Sequence, residues 1–332
     1  MVKEKSPKRQ KNAEEPESSP GLCSSLFSTI FWSLWTLLAI VTISYISFGL
    51  LMLYSTQMKM EVIFMNRLNQ PFFVNLSNCN EFGIVKCENI VLDGGQGKIG
   101  AWMISPSTDQ YITKEAYILY LHGNMGSRAL GHRVEMYKKL SRMGYHILTI
   151  DYRGFGDSDG SPTEFGLLED AKIGYKYLKE RAHGHATYIW GHSLGSAVGV
   201  QLAAWLNTEN SRLNGLILEA PFNNMFDGIK HSHLAAPVIP FIPNFDSYIE
   251  DVKEVFKSDY WIKKVFSSTL ILHDISDHIL NIKLARKLYF SAKETGSSNV
   301  HMIELNEKLY HNDIYKAKHF IKYIEEFMEH TG

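Results

Sequence analysis

Charged side chains are missing from one long stretch of this 332-residue chain: residues 18–58 contain no Asp, Glu, Lys or Arg. No helix of a soluble domain needs that much uncharged length, whereas a membrane-spanning helix needs about 20 apolar residues and can tilt when it is longer. Trp32 and Trp35 lie near one end of the apolar run and Tyr54 at the other, as suits the two membrane interfaces. We therefore predict a transmembrane anchor over residues 22–56.

A signal-peptide cleavage site is also lacking. The apolar core of a cleaved signal peptide runs for roughly 7–15 residues and ends at small residues. The run here is longer, and LLMLYSTQMKM at its end offers no such site, so we expect the anchor to be retained. Residues 1–21 before it are charged and rich in Pro and Ser, which predicts a disordered tail.

Lysine and arginine are scarce after the anchor, where only Lys59 and Arg67 follow closely. Five basic residues precede it: Lys3, Lys5, Lys8, Arg9 and Lys11. By the positive-inside rule, the N-terminus faces the cytosol and the bulk of the chain faces the lumen or the exterior. The glycosylation sequon at Asn75 fits that side. Cys79 and Cys87, the only cysteines outside the anchor region, could pair there, although their spacing leaves the pairing open.

An excess of charge of either sign is absent, because the formal net charge is −1. This balance argues against a nucleic-acid partner. The Gly- and Asp-rich loop at residues 151–164 lacks the lysine and serine of a phosphate-binding P-loop, so we interpret it as scaffold. No motif implies a metal ion or an organic cofactor, and we expect neither.

The rest of the sequence alternates short apolar runs with helical patterns. After a connector over residues 57–87, near-continuous apolar strands are each followed by a helix, which predicts an α/β domain over residues 88–332 with a mostly parallel, doubly wound sheet. Residues 221–267 break the alternation and are too many for an ordinary loop. We predict that they form a cap over the carboxyl edge of the sheet, where ligands bind in such folds.

A serine stands between a predicted strand and a predicted helix in YIWGHSLGSAVGV. Gly191 and Gly195 flank Ser193 at the spacing of a nucleophile elbow, a tight turn that needs small residues at both positions and exposes the serine hydroxyl. The backbone N–H of Leu194 is the first candidate donor for an oxyanion hole, and that of Asn124 in LYLHGNMGSR is the second.

A nucleophilic serine needs a base, and in this architecture an acid and then a histidine follow it along the chain. The segment TLILHDISDHIL offers Asp277 in the loop after a strand and Asp274 at the strand end, and we favour Asp277. Of two later histidines, His301 falls within a strand, whereas His311 lies in the following loop, where the base is expected. Asp277 would hold the imidazole tautomer while His311 moves the proton.

The order of these segments resembles the α/β-hydrolase superfamily. YLHGNMGSRALGHRVEMYKKL, GYHILTIDYRGFGDSDGSPTE and YIWGHSLGS are similar to the membrane-anchored lysophosphatidylserine lipases within it, also described as monoacylglycerol lipases. The resemblance implies an α/β-hydrolase fold with Ser193 as nucleophile, Asp277 as acid and His311 as base. It also implies an endoplasmic-reticulum enzyme with a lumenal active site. Two features depart from the family pattern: His278 follows the acid where proline is usual, and LNEKLYH lacks the usual glycine.

We therefore expect a hydrolase that cleaves the acyl ester of lysophosphatidylserine, another lysophospholipid or monoacylglycerol at the membrane. A thioesterase or depalmitoylase with the same triad and a non-catalytic hydrolase-like binding module remain alternatives. The apolar residues 233–245 of the cap either lie near the bilayer and admit an acyl chain or pack on the sheet. Cap lysines that could meet a lipid phosphate are Lys230, Lys253 and Lys257.

Overall fold

The computed structural model describes residues 22–68, 71–107, 114–232, 239, 244–294 and 299–332. The chain divides after Ser55 into two units. The predicted tail, residues 1–21, lies outside the described residues, and so do Val238, Phe241 and Ile242 of the apolar cap segment.

Helix α1, Leu22–Tyr54, is the described part of the first unit. Within it, Ser25–Phe48 has a mean hydropathy of 1.9 and is the one helix of the described chain that is long and apolar enough to cross a membrane. The hydroxyls of Thr29 and Thr36 donate to carbonyls one turn earlier, at 2.9 and 2.8 Å, so these polar groups are satisfied inside the helix. Helix α1 is therefore a candidate single-pass membrane span.

The second unit is built on an eight-stranded sheet. Its strands are β1 Cys87–Asp93, β2 Lys98–Ile104, β3 Ala116–Leu121, β4 His146–Ile150, β5 Ala186–His192, β6 Gly215–Glu219, β7 Ser268–Asp274 and β8 Val300–Leu305. The spatial order is β1-β2-β4-β3-β5-β6-β7-β8. Strand β2 pairs antiparallel with β1 and with β4, and all the other pairs are parallel. Parallel pairing brings the carboxyl ends of β3, β5, β6 and β7 to one edge of the sheet.

Helices cover both faces of this sheet. They are α2 Thr56–Phe64, α3 Gly131–Arg142, α4 Glu164–Arg181, α5 Leu194–Thr208, α6 Met225–Lys230, α7 Phe245–Tyr248, α8 Ser258–Trp261, α9 Ile282–Glu294 and α10 Phe320–Glu329. One apolar core lies among α2, α4, α5 and α9, and a second lies among α3, α10 and the segment around Ile84. The central strands β3 and β6 are buried along their whole length, as near-continuous apolar runs predict. The structure therefore confirms the α/β-hydrolase architecture.

The described residues of the connector over 57–87 belong to the second unit. Ile63 and Phe64 of α2 are buried in the first core. A disulfide joins Cys79 to Cys87, with the two Cα atoms 6.1 Å apart, and attaches a 3₁₀ turn to the edge strand β1.

Residues 221–267 connect β6 to β7 and contain α6, α7 and α8 together with the 3₁₀ turns Glu250–Val252 and Ile262–Lys264. This insertion is tied to α2. Lys59 Nζ lies 2.8 Å from Asp251 Oδ1, and the rings of Phe64 and Phe256 pack edge to face at 6.2 Å.

Candidate active site

Ser193 occupies a strained turn between β5 and α5. Its φ of 53° lies in the left-handed region, which L side chains rarely adopt. Neither neighbouring glycine has room for a side chain. A Cβ on Gly191 would lie 2.4 Å from the carbonyl oxygen of Gly195, and one on Gly195 would lie 2.0 Å from that of Leu121. The local sequence therefore dictates this elbow.

The structure brings Ser193, His311 and Asp277 into one hydrogen-bonded chain. His311 Nε2 lies 2.9 Å from Ser193 Oγ, and His311 Nδ1 lies 2.7 Å from Asp277 Oδ2. Because a carboxylate only accepts, Nδ1 carries the ring hydrogen and Nε2 is free to accept the serine proton. All three side chains are less than one-tenth exposed.

Asp277 is held by its own loop. Its Oδ1 accepts from the backbone N–H groups of Ile279 and Leu280, at 2.7 and 2.9 Å. Burial by itself favours the protonated carboxyl, but hydrogen bonds from His273 and His311 outweigh it and hold the pKa of Asp277 well below its ordinary value. Asp277 is therefore a carboxylate at neutral pH.

Asp274, the alternative acid, accepts hydrogen bonds from the backbone of neighbouring loops. Its Oδ1 accepts from Ser276 N at 2.8 Å, and its Oδ2 accepts from Glu307 N at 3.1 Å. The alternative histidine, His301, is exposed on β8. The structure thus places Asp277 and His311, rather than Asp274 and His301, beside the serine.

The loop that carries His311 has non-glycine residues at the positions that need a left-handed backbone. Lys308 and Tyr310 each take a φ of 57°, the left-handed conformation that glycine would adopt most easily. His192 Nε2 donates to the His311 carbonyl at 3.1 Å, and this buried hydrogen bond holds the loop in place. His278, which stands where the family usually has proline, packs its ring against Tyr310 at 5.3 Å.

The two candidate oxyanion donors belong to segments that meet at Ser193. Leu194 is the first residue of α5, so its N–H is one of the groups that a helix leaves without an internal acceptor. A Cβ on Gly123 would lie 3.3 Å from Ser193 Cβ, so the loop of Asn124 packs against Ser193. The Asn124 side chain points elsewhere, because its Nδ2 donates to the Ile63 carbonyl at 2.9 Å. The backbone N–H of Asn124 is therefore the candidate donor of this residue to the site.

The other predicted residues lie apart from this cluster. Asn75 is exposed, and its Oδ1 accepts from the backbone and hydroxyl of Ser77 at 3.0 and 2.6 Å. The cap lysines already have carboxylate partners on the surface: Lys230 with Asp246, Lys253 with Glu250 and Lys257 with Glu254. Within the described ranges, no cluster of His, Cys, Asp and Glu could hold a metal ion.

Three buried polar residues near the site escaped the sequence analysis. His273 approaches the Asp277 carboxylate, Arg133 contacts the loop of Asn124, and Glu219 ends the strand next to β5. The spacing of His273 and Asp277 across a strand end is a signal that could have been noticed. The carbonyls around Arg133 belong to the preceding loop, whose path the sequence does not show, and the partner of Glu219, Trp190, lies 29 residues away in the chain.

Comparison with known proteins agrees with this fold and site. A family model described as alpha/beta hydrolase fold matches residues 117–288. Lysophosphatidylserine lipase ABHD12 from Danio rerio is 32% identical over 323 residues, covering 90% of this chain and 84% of that protein. The Mus musculus protein of the same name is 34% identical over 310 residues, covering 86% of this chain and 77% of its own length.

Among solved structures, an esterase from Pyrococcus furiosus superposes with a TM-score of 0.61 and 17% identity, covering 80% of this chain and 98% of that one. At this identity the likeness concerns the fold alone, and it agrees with the strand order described above. Taken with the family match and the curated relatives, it establishes that this chain belongs to the α/β-hydrolase family.

Proposed function

We propose that this protein is a membrane-anchored serine hydrolase that cleaves the acyl ester of lysophosphatidylserine or a closely similar single-chain lipid. The observation that carries the proposal is the unbroken hydrogen-bonded chain from Ser193 through His311 to Asp277. Relatives of more than 30% identity that bear the name lysophosphatidylserine lipase support the substrate class. Other lysophospholipids and monoacylglycerol present the same ester and are secondary candidates.

Acylation begins at the serine. His311 Nε2 takes the proton from Ser193 Oγ as the oxygen attacks the ester carbonyl, and Asp277 stabilises the imidazolium that forms. In this proposal the backbone N–H groups of Asn124 and Leu194 bind the negative charge that develops on the carbonyl oxygen. His311 then passes its proton to the leaving glycerol oxygen, the ester C–O bond breaks, and the acyl group remains on Ser193.

Deacylation repeats these steps with water. His311 removes a proton from the water molecule that attacks the acyl-enzyme, and it returns that proton to Ser193 Oγ as the fatty acid leaves. The products are one fatty acid and one glycerophospho head group. Every proton moves between Ser193, His311, water and the leaving group, so this chain's own residues suffice for the reaction.

We further propose that the protein resides in the endoplasmic-reticulum membrane, with its N-terminus in the cytosol and its catalytic unit in the lumen. The excess of basic residues before the span supports this orientation, since such residues are retained on the cytosolic side. The Cys79–Cys87 disulfide supports it independently, because structural disulfides persist in oxidising compartments. The substrate is then a lipid of the membrane that holds the anchor, and no nucleic acid is a partner.

A fluorophosphonate probe combined with lipid hydrolysis tests the proposal. The full-length protein in detergent micelles should react covalently with the probe and release fatty acid from lysophosphatidylserine. Ser193→Ala should abolish labelling, and His311→Gln should lower hydrolysis by at least about a thousandfold. His301→Gln is the matched control, because His301 is an exposed histidine outside the site, and it should retain wild-type activity.

Two results would redirect the proposal. Absence of labelling in the wild-type protein would contradict an enzyme and favour a binding module. Turnover of a palmitoyl thioester at a higher kcat/KM than that of lysophosphatidylserine would favour a thioesterase that uses the same triad.

A further inference from the structure

We propose that Arg133 is a positioning residue of the active site, and that its buried guanidinium holds the loop of residues 123–127 so that the Asn124 backbone N–H faces the reacting carbonyl. This inference rests on the proposed hydrolase function and names a residue through which that site works.

Arg133 belongs to α3 and is only 2% exposed. Its guanidinium donates to three backbone carbonyls of a single loop. Nη1 lies 2.7 Å from the Ser127 oxygen, and Nη2 lies 2.6 Å from the Met125 oxygen and 3.3 Å from the Gly123 oxygen. One side chain therefore fixes both ends and the middle of this loop.

Among the described residues, no carboxylate lies within ion-pair distance of Arg133, which distinguishes it from its neighbour Arg128. Arg128 is equally buried, but it pairs with Asp151 and Asp157. A buried cation that only carbonyls compensate carries a large desolvation penalty. An apolar side chain at position 133 would fill the space without that penalty, so packing alone does not account for an arginine here.

The carbonyl of Gly123 connects this arginine to the proposed oxyanion donor. The oxygen of Gly123 and the N–H of Asn124 belong to the same peptide group, and in a trans peptide they point in opposite directions. His122 Nδ1 donates to that oxygen at 2.7 Å, on top of the bond from Arg133. Two donors that hold the oxygen in the interior thus turn the Asn124 N–H outwards.

Distances place this peptide at the nucleophile. A Cβ built on Gly123 would lie 3.3 Å from Ser193 Cβ and 3.7 Å from Arg133 Nη2, so Gly123 separates the guanidinium from the serine by one residue. The positive charge also reaches nearby imidazoles. Burial first and Arg133 second lower the pKa of His132 to about 3, so that this imidazole stays neutral beside the arginine.

Enzyme kinetics of three variants test the inference in the full-length protein, with p-nitrophenyl butyrate as the probe substrate. Arg133→Met keeps the bulk but removes the donors and the charge, and kcat should fall about 30-fold or more while KM changes less than about threefold, since loss of one oxyanion donor lowers kcat by about 10²–10³. Affinity for a trifluoromethyl ketone, which mimics the tetrahedral intermediate, should fall by the same factor as kcat/KM. Arg133→Lys keeps the charge but loses the paired N–H donors of the guanidinium. Its kcat and inhibitor affinity should lie between those of wild type and Arg133→Met.

Tyr137→Phe provides the matched control. Tyr137 lies one turn further along α3, is fully buried, and loses only its 2.9 Å hydrogen bond to Thr149. This variant should lower the melting temperature and leave both kcat and inhibitor affinity near wild type.

If wild type is active and Arg133→Met is equally active, this inference is wrong and the proposed function stands. The same holds if Arg133→Met changes only KM or only the melting temperature. If Arg133→Met fails to fold, Arg133→Lys decides by the same two measurements, and if both fail to fold, the arginine is a folding residue and the inference is wrong. A wild type that neither labels with fluorophosphonate nor hydrolyses esters overturns the proposed function, and this inference with it.

Discussion

His273 Nε2 lies 3.2 Å from Asp277 Oδ2, the same oxygen that His311 Nδ1 contacts. That nitrogen also lies 3.1 Å from the Leu280 carbonyl. Both neighbours only accept hydrogen bonds, so Nε2 must carry the hydrogen and donate it. The Asp277 carboxylate is thus held between two imidazoles, that of His311, which we propose moves the proton, and that of His273, which is fully buried.

Loss of the second imidazole should loosen the carboxylate without removing it. We expect His273→Phe, which keeps the ring volume, to lower kcat by roughly tenfold, because a misoriented acid weakens general-base catalysis without abolishing it. Asp277→Asn should lower kcat by about 10⁴-fold, because the amide favours the wrong imidazole tautomer. Steady-state kinetics on a lysophospholipid measures both. Equal losses in the two variants would contradict a supporting role for His273.

Substitution by alanine should be tolerated at an ordinary helix glycine but not at Gly195 of the elbow. Gly195→Ala would place a Cβ 2.0 Å from the Leu121 backbone oxygen, which cannot move aside as a flexible side chain would, so we expect loss of fluorophosphonate labelling and of folded protein. Gly131→Ala in α3 is the control, since nothing lies within 4 Å of its Cβ. That variant should label normally. A well-folded, active Gly195→Ala would show that the turn at Ser193 has room for a Cβ at position 195.

Glu219 should make stability depend on pH. Burial raises its pKa to about 8 and the hydrogen bond from Trp190 Nε1 offsets this only in part, whereas the unfolded carboxyl titrates near 4.5. As the pH rises from 4.5 to 8 the unfolded chain releases this proton first, so the contribution of Glu219 to stability falls across that interval and then levels off. Glu219→Gln stays neutral and can still accept from Trp190.

Thermal unfolding measures this effect. The melting temperature of Glu219→Gln relative to wild type should rise by at least about 3 °C between pH 5.5 and pH 8.5, since 1 kcal/mol shifts a domain of this size by roughly 2–4 °C. The same change at the exposed Glu180 should have no such pH dependence. An identical pH profile for Glu219→Gln and wild type would contradict a neutral buried carboxyl.

Glycosylation of Asn75 should report the orientation of the chain. The sequence holds one sequon, Asn75-Leu76-Ser77, and its asparagine is exposed. If the catalytic unit is lumenal, digestion with an N-glycosidase should shift the protein on a gel, and both Asn75→Gln and Ser77→Ala should remove that shift. Protein from cells that shows no shift in any form would count against the lumenal orientation.

The connector and the choice of acid mark the limits of sequence reasoning in this chain. Residues 57–87 carry little regular periodicity, so nothing in the sequence indicated that Ile63 and Phe64 enter the core, and the spacing of Cys79 and Cys87 left their pairing open. Asp274 ends β7 and Asp277 lies three residues further on in the loop, so position along the chain favours Asp277 but leaves Asp274 open as the alternative. Only the direction in which each carboxylate points decides between them.

By itself, the sequence determined the features that local physics governs. An uncharged apolar run predicts the anchor wherever it stands, apolar runs alternating with helical patterns predict the layered sheet, and the glycines around Ser193 predict the elbow because the turn tolerates no Cβ. Tertiary structure decided the rest. Ser193 and His311 are 118 residues apart in the chain, and His311 is 34 from Asp277. The side chains of Ser193, His311 and Asp277 meet only because parallel strands bring their carboxyl ends to one edge of the sheet. The same packing buries His273 beside Asp277 and Arg133 against the loop of Asn124.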